Sequence, residues 1–311
     1  MSGDLSPRRA RALAKRVLHD AFGETPRKLE PLGGGLTNAV FRARLDGTPW
    51  VVRLHADPQQ AIAFAKAHWA MEQARRAGVP TPQVALVGHG PHGVAFMIIE
   101  AKDGQTASRV GHRQPLLAEM GRCAARLHRV HTEGFGGGFD PARACWDGHA
   151  RWAHYLDHEL DAPARVALLR RERALPRAAL DDLQAAVESM RRWRRRPVLQ
   201  HGDLRLKNVI ADEAGERIEA IIDWENCLSA PGPYWDLSIA LHDLGLDEKE
   251  TFLDGYGMSA REFAESARYV RALNLLNYAW AMGEARRERN ARHLGWLKLR
   301  LEGAFDITAP R

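Results

Sequence analysis

The sequence predicts an α+β protein in two lobes, and three observations carry that expectation. Short strand-like runs dominate before residue 100, long breaker-free stretches with helical periodicity dominate after about residue 105, and the character changes across Glu100-Ala101-Lys102-Asp103-Gly104. The expected boundaries are 1–100 for an N-terminal lobe, 101–105 for a hinge and 106–311 for a C-terminal lobe. Clefts between lobes are common ligand sites.

Ser6-Pro7 supplies a capping hydroxyl ahead of a residue preset for the first helical turn, and Leu13, Val17, Leu18 and Phe22 recur at helical spacing until Gly23. A short amphipathic helix follows from that pattern. Residues 39–45 and 50–54 flank Asp46-Gly47-Thr48-Pro49 and read as a β-hairpin. Residues 58–77 lack breakers and suit a helix ending at Gly78, while 84–88 and 94–100 read as two more strands around a Gly/Pro/His turn. Residues 112–131, 146–160, 172–196 and 261–303 carry helical periodicity. Between them, short apolar runs across 197–223 suggest small strands around a loop.

With 311 residues, 45% hydrophobic and 27% charged, the composition is that of an ordinary globular chain rather than a disordered one. No segment approaches the roughly 18 to 20 apolar residues that a membrane span requires, and the first residues lack a signal-peptide core, so a cytoplasmic location is expected. Cys123, Cys145 and Cys227 are scattered without CxxC spacing and read as reduced and structural. His149, His154 and His158 line a helix face, but no neighbouring Cys or HExxH pattern supports zinc. The net charge of +6 raises the question of an anionic partner, and the densest basic run spans residues 191–196. Pro197 stops a helix at that point, and cations are favourable in a last helical turn, so the run reads as a solvated helix end. Neither a nucleic-acid nor a membrane partner is expected, and the chain is expected to be a monomer or homodimer.

The chemistry concentrates in Gln200-His201-Gly202-Asp203-Leu204-Arg205-Leu206-Lys207-Asn208-Val209-Ile210 and in Ala220-Ile221-Ile222-Asp223-Trp224-Glu225. Phosphoryl transfer needs a carboxylate beside the attacking hydroxyl and oxygen ligands that hold Mg²⁺ against phosphates. Asp203, Asn208 and Asp223 supply that set. An Asp with an Asn five positions later, then an Asp after a strand, is the catalytic-loop spacing of protein kinases. An Asx-rich turn is the competing reading, and it does not account for an acid at the end of the apolar strand Ala220-Ile221-Ile222.

The segment resembles the Brenner motif of the aminoglycoside phosphotransferase and choline kinase-like families, in which His-Gly-Asp is common and the later Asp is often followed by Trp-Glu. That resemblance implies a bilobal protein kinase-like α+β fold with a small β-rich N-lobe that binds nucleotide and a larger, mainly helical C-lobe. It implies an enzyme that uses ATP (or GTP) and Mg²⁺ to phosphorylate a small-molecule hydroxyl, with Asp203 as the catalytic carboxylate and Asn208 and Asp223 as metal ligands. Leu32-Gly33-Gly34-Gly35-Leu36-Thr37-Asn38 resembles the family's nucleotide loop, where Gly33, Gly34 and Gly35 let backbone amides approach phosphates and Thr37 and Asn38 add side-chain donors. Arg53 stands at the strand position of the phosphate-gripping lysine. By the same likeness, backbone groups of Glu100 and Lys102 meet the adenine edge, and Arg205 stands where protein kinases keep a lysine that steadies the transferring phosphate, a plain solvent contact being its other reading. Asp236 in Gly232-Pro233-Tyr234-Trp235-Asp236-Leu237 resembles the element that braces the catalytic loop. His128 reads as a packed helix residue.

One departure stands out. The family pattern upstream of Gly78-Val79-Pro80-Thr81-Pro82 puts the acid partner of the strand cation near position 67, which is Ala67 here. The nearest acid, Glu72, is five residues on and so about 140° around the helix. This keeps a regulatory nucleotide-binding pseudokinase open beside the enzyme, with a nucleic-acid binder using the arginine run as a third reading. No Ala-Pro-Glu follows Asp223, which argues against a protein kinase. Members of the family phosphorylate aminoglycosides, macrolides, choline, homoserine and sugars. Asp157, Glu159 and Asp161 could receive an amino-substituted acceptor, such as an antibiotic, or could simply line a solvated helix face.

Overall fold

In the computed structural model, which describes residues 5–33 and 38–303, helix α1 runs Pro7–Phe22 with the Ser6 hydroxyl accepting from the Arg9 N–H and Gly23 closing the helix in the left-handed region. Its buried stripe of Ala10, Leu13, Ala14, Val17 and Leu18 packs on Phe41, Val52, Leu54 and Ile98 of a sheet. That sheet is antiparallel, with strands β1 (Leu29–Pro31), β2 (Ala39–Leu45), β3 (Thr48–His55), β4 (Val84–His89) and β5 (Ala95–Glu100) in the order β1-β2-β3-β5-β4. The hairpin turn is tighter than the four residues expected: Asp46 and Gly47 both take positive φ, as a two-residue hairpin loop demands, and Thr48 and Pro49 already belong to β3. Alternation along β3 buries Val52 and Leu54 on one face and directs Arg53 to the other. Helix α2 (Gln60–Arg76) packs against β4 and β5 through a face that includes Phe64, Ala67, Ala70, Met71 and Ala74.

The chain forms two compact units. The first comprises Met1–Val110, Phe139–Cys145 and Lys207–Asn226; besides the sheet it holds three short antiparallel strands, Gln105–Thr106, Val209–Ala211 and Ile218–Ile221. Gly104 precedes them with φ +127°, and a Cβ there would stand 2.0 Å from the Ala211 carbonyl oxygen, so only glycine permits this approach.

The second unit comprises Gly111–Gly138, Trp146–Leu206 and Cys227–Arg311. It is mainly helical, with α3 (Gln114–Leu127) and further helices at Ala162–Arg171, Arg177–Arg191, Tyr234–Ala240, Leu246–Tyr256, Ala260–Arg287 and Ala291–Gly303, plus a strand pair Pro197–Gln200 with Leu228–Pro231. A strand-rich beginning followed by helices is the expected α+β plan. The expected helix over 146–160 is a correction: only Trp152–His154 and a π-turn at Tyr155–Glu159 are helical. Upstream of them His149 pairs with Phe135 through two backbone hydrogen bonds of 2.8 Å, which hold the chain extended, while Trp152 stacks on Tyr155. The helices at Ala162–Arg171, Tyr234–Ala240 and Leu246–Tyr256 were not expected from periodicity. The first starts at Asp161, whose carboxylate accepts from the Ala164 N–H.

The contact between α3 and Leu246–Tyr256 is backbone against backbone. A Cβ on Gly121 would lie 2.2 Å from the Phe252 carbonyl oxygen, and one on Gly255 would lie 2.1 Å from that of Ala118. No helix among the described residues is long and apolar enough to cross a membrane. Gly121→Ala is expected to cost about 2–3 kcal/mol by forcing the helices apart, read as a lower urea midpoint at unchanged slope.

Candidate active site

The segment His201-Gly202-Asp203 hangs on one buried carboxylate. Asp236, fully buried near the start of the helix Tyr234–Ala240, accepts from the His201 N–H at 2.8 Å, from the Gly202 N–H at 2.8 Å and from His128 Nε2 at 3.2 Å. Burial alone would raise its pKa, but the hydrogen bond and charge of His128 and the neighbouring His201 hold the carboxyl below the usual carboxylate range. His128 is in turn fixed through Nδ1 by the Tyr256 hydroxyl at 3.0 Å, and Gln200 donates to the Gly232 carbonyl and accepts from the Asp236 N–H. Gly202 takes φ +85°, which lets the two amides converge on one carboxylate. Asp203 emerges from this braced turn with its N–H on His201 Nδ1, and its carboxylate meets Arg205 Nε at 2.7 Å. Arg205 also faces Asp243 at 3.6 Å, and Asp243 pairs with Arg300.

The other acidic cluster is in the first unit. Val209 pairs with Ile221 across two antiparallel strands, and the Ile222 N–H donates to the Asn208 carbonyl at 2.9 Å, so Asn208 and Asp223 leave adjacent strand ends. Asp223 adopts φ +69°, and the turn Trp224–Asn226 that follows is anchored by the buried Trp224 indole, which donates to the Ile221 carbonyl at 2.8 Å. Arg53 Nη2 reaches Asp223 Oδ1 at 3.0 Å and Glu225 Oε1 at 2.6 Å. The Glu225 carboxylate also accepts from Asn38 Nδ2, at 3.0 and 3.2 Å, and from Gln60 Nε2 at 3.2 Å. Burial pushes the Glu225 carboxyl up, and the Arg53 charge works against that rise. Among the described residues, Arg53 Nε and Asn38 Oδ1 are buried without a hydrogen-bond partner. A buried donor and a buried acceptor without partners beside an acid pair are groups that a bound polar ligand would satisfy.

Of the residues expected from the sequence, Asn38, Arg53, Asn208 and Asp223 belong to this unit, while Asp203 and Arg205 belong to the other. Gly33 is described as a bend, and Gly34, Gly35 and Thr37 lie outside the described residues. Glu100 ends β5, gives its N–H to the Gln83 carbonyl and pairs through its carboxylate with Lys102 at 2.8 Å. Glu225 and Gln60 were missed. The signal for Glu225 was in plain view as the third residue of Asp223-Trp224-Glu225; nothing local marks Gln60.

Two surface expectations acquire a structural explanation. Asp157 is held by Arg191 at 2.6 Å, Glu159 accepts from the Gly137 N–H and pairs with His149, and Asp161 caps its helix. These acids are not a bare solvated face. In the arginine run, Arg191 also pairs with Glu188, and Arg195 lies over the rings of Trp193 and Tyr234, at 5.2 and 5.4 Å.

A family model described as the phosphotransferase enzyme family matches residues 28–273. No curated protein sequence matches the chain. Among solved structures, the chain is similar to the aminoglycoside phosphotransferase APH(4)-Ia at 18% identity, with a TM-score of 0.72 over 96% of this chain and 99% of that one. It is also similar, with a TM-score of 0.68 and 18% identity over 96% of this chain and 99% of that one, to a thermostable APH(4)-Ia mutant in ternary complex with ADP and hygromycin B. The GDP complex of aminoglycoside 2'-phosphotransferase-IIIa has 17% identity and a TM-score of 0.67 over 93% and 96% of the two chains. At such identities the likeness is one of fold, and the fold is the protein kinase-like one that the motif implies.

Asp236→Ala removes the acceptor of three buried donors and is expected to lower stability by about 3 kcal/mol, read by urea unfolding. Burial pushes His242 down to about 4, so the unfolded chain binds more protons than the folded one between that value and about 6.5. Stability is therefore expected to fall by about 1–2 kcal/mol as pH drops through this window, after allowance for partial solvent contact. Melting curves of His242→Gln across the same pH range are expected to lack that slope.

Proposed function

The chain belongs to the phosphotransferase enzyme family, and from that premise we propose that it transfers the γ-phosphate of ATP (or GTP) to a hydroxyl of a small molecule. The observation that carries the proposal is the braced turn His201-Gly202-Asp203, whose two amides converge on buried Asp236 and leave the Asp203 carboxylate presented at a fixed position. Fixing the base in advance is the main service a protein offers a phosphoryl transfer. Asp203 orients the acceptor hydroxyl and takes its proton as the new oxygen–phosphorus bond forms and the bond to the β-phosphate oxygen breaks. Arg205, which contacts Asp203, is the cation available to the transferring phosphate.

Asn208 and Asp223 are the residues proposed to hold Mg²⁺. Their oxygens suit a hard cation, and two protein donors are enough where phosphates and water complete the shell. The open Nε of Arg53 and open Oδ1 of Asn38 favour a polar ligand at the same place. When bound, the ion would draw charge from the β- and γ-phosphates. Arg53 adds a permanent positive charge to the phosphate end, Gly33, Gly34, Gly35, Thr37 and Asn38 are proposed as the segment that donates to the phosphates, and backbone groups of Glu100 and Lys102 are proposed to meet the purine. The neighbouring structures that carry ADP or GDP support a nucleotide as one substrate.

For the acceptor, the engaged state of Asp157, Glu159 and Asp161 favours a neutral or singly charged hydroxylated metabolite over a polycationic aminoglycoside. A second reading, a nucleotide-binding protein without transfer, draws on buried Ala67. It requires ATP binding without turnover and no effect of Asp203→Asn.

The test is ADP release from Mg·ATP across a panel of sugars, amino alcohols, amino acids, macrolides and aminoglycosides. At least one acceptor is expected to stimulate release, and Asp203→Asn is expected to lower that rate by about 10³-fold or more while nucleotide affinity stays within about twofold. Bound nucleotide with no acceptor-dependent release anywhere on the panel would favour the second reading.

A further inference from the structure

A cation that grips phosphates must itself be held, because a free arginine side chain loses rotamer entropy each time it orders. No acid stands at the expected position on α2. Ala67 occupies the position, fully buried among Phe64, Ala70, Met71 and Ala74. Glu72 faces His68 at 3.7 Å and makes no ion pair with Arg53.

We infer that Glu225, seated by Asn38 and Gln60, is the positioning residue for Arg53 and replaces the missing helix acid, a role that rests on the phosphotransferase reading. The geometry carries it. The 2.6 Å contact of Arg53 with Glu225 is shorter than the 3.0 Å contact with Asp223, and the Glu225 carboxylate is itself steadied by two amide side chains from separate places in the sequence. Gln60 lies in the first turn of α2, so the helix supplies a donor to the acid rather than the acid itself. The turn Trp224–Asn226 packs on α2 and is pinned by the Trp224 indole, which fixes the backbone that carries the carboxylate. Arg53 thus keeps an anionic partner when the oxygens of Asp223 are engaged by another ligand, and its Nε remains open. Asn38, immediately before β2, donates to the same carboxylate.

The experiment is a double-mutant cycle read by titration calorimetry with Mg·AMP-PNP, using the full chain as wild type, Glu225→Gln, Arg53→Met and the double variant, with melting temperatures recorded for each. Glu225→Gln is expected to weaken nucleotide binding about tenfold in the wild-type background and by less than about twofold in the Arg53→Met background, because its effect passes through Arg53. A role confined to general stability would not produce that dependence. If Glu225→Gln melts below the assay temperature, Glu225→Asp replaces it, keeping the charge and shortening its reach, with a several-fold loss expected only when Arg53 is present. Unchanged binding, or an equal loss in both backgrounds, overturns the inference and leaves the phosphotransferase reading standing. A wild-type chain that does not bind Mg·AMP-PNP overturns that reading, and the inference with it.

Discussion

A carboxylate removed from water must find donors or lose its charge, and Asp236 meets that demand with two backbone amides and an imidazole. The conformation around Asp203 follows from this single requirement. Two successive N–H groups can point at one carboxylate only if the chain turns sharply between them, which Gly202 allows with its positive φ. The imidazole must then come from elsewhere, and His128 provides it from the end of α3. His128 reaches the carboxylate because the Tyr256 hydroxyl holds its other nitrogen, and Tyr256 is in place because Gly121 and Gly255 let two helices touch along their backbones. A packing detail far along the chain thereby sets the orientation of the turn that carries Asp203.

The first unit solves a related problem with the opposite sign. Arg53 is a half-buried cation that needs anions, and it finds two on either side of a tryptophan in the sequence. Trp224 is the structural centre of that arrangement, since its buried indole fixes the turn that carries both acids. The chain therefore holds its charged groups through short, pinned turns at strand ends, which are stiffer supports than long surface loops.

What could be read in the sequence was what depends on neighbours in the chain. The cap at Ser6-Pro7, the Asp46-Gly47 hairpin and the spacing of Asp203, Asn208 and Asp223 are all local patterns, and each reappears as an element or a strand end. The partner of Arg53 could not be found that way, because Glu225 is more than a hundred residues distant in sequence and only the packing of its turn against α2 brings it near. The same limit explains the misjudged stretch 146–160. Its apolar residues suit a helix in isolation, but the pairing of His149 with Phe135 gives its early backbone groups other partners. The partners of Asp157 and Glu159 are hidden from a local reading for a related reason, as their donors come from Arg191 and Gly137.

Those three acids also bear on how such a chain changes over generations. Asp157, Glu159 and Asp161 each hold an arginine, a backbone amide or a helix end, so recruiting any of them to greet a polyamine would first release a structural partner. Proteins stand only slightly above the threshold of folding, and variants that lose such contacts are removed before a new affinity can be selected. New acids for such a ligand are more accessible at exposed positions that carry no such duty, so the present network constrains which of its own carboxylates can change.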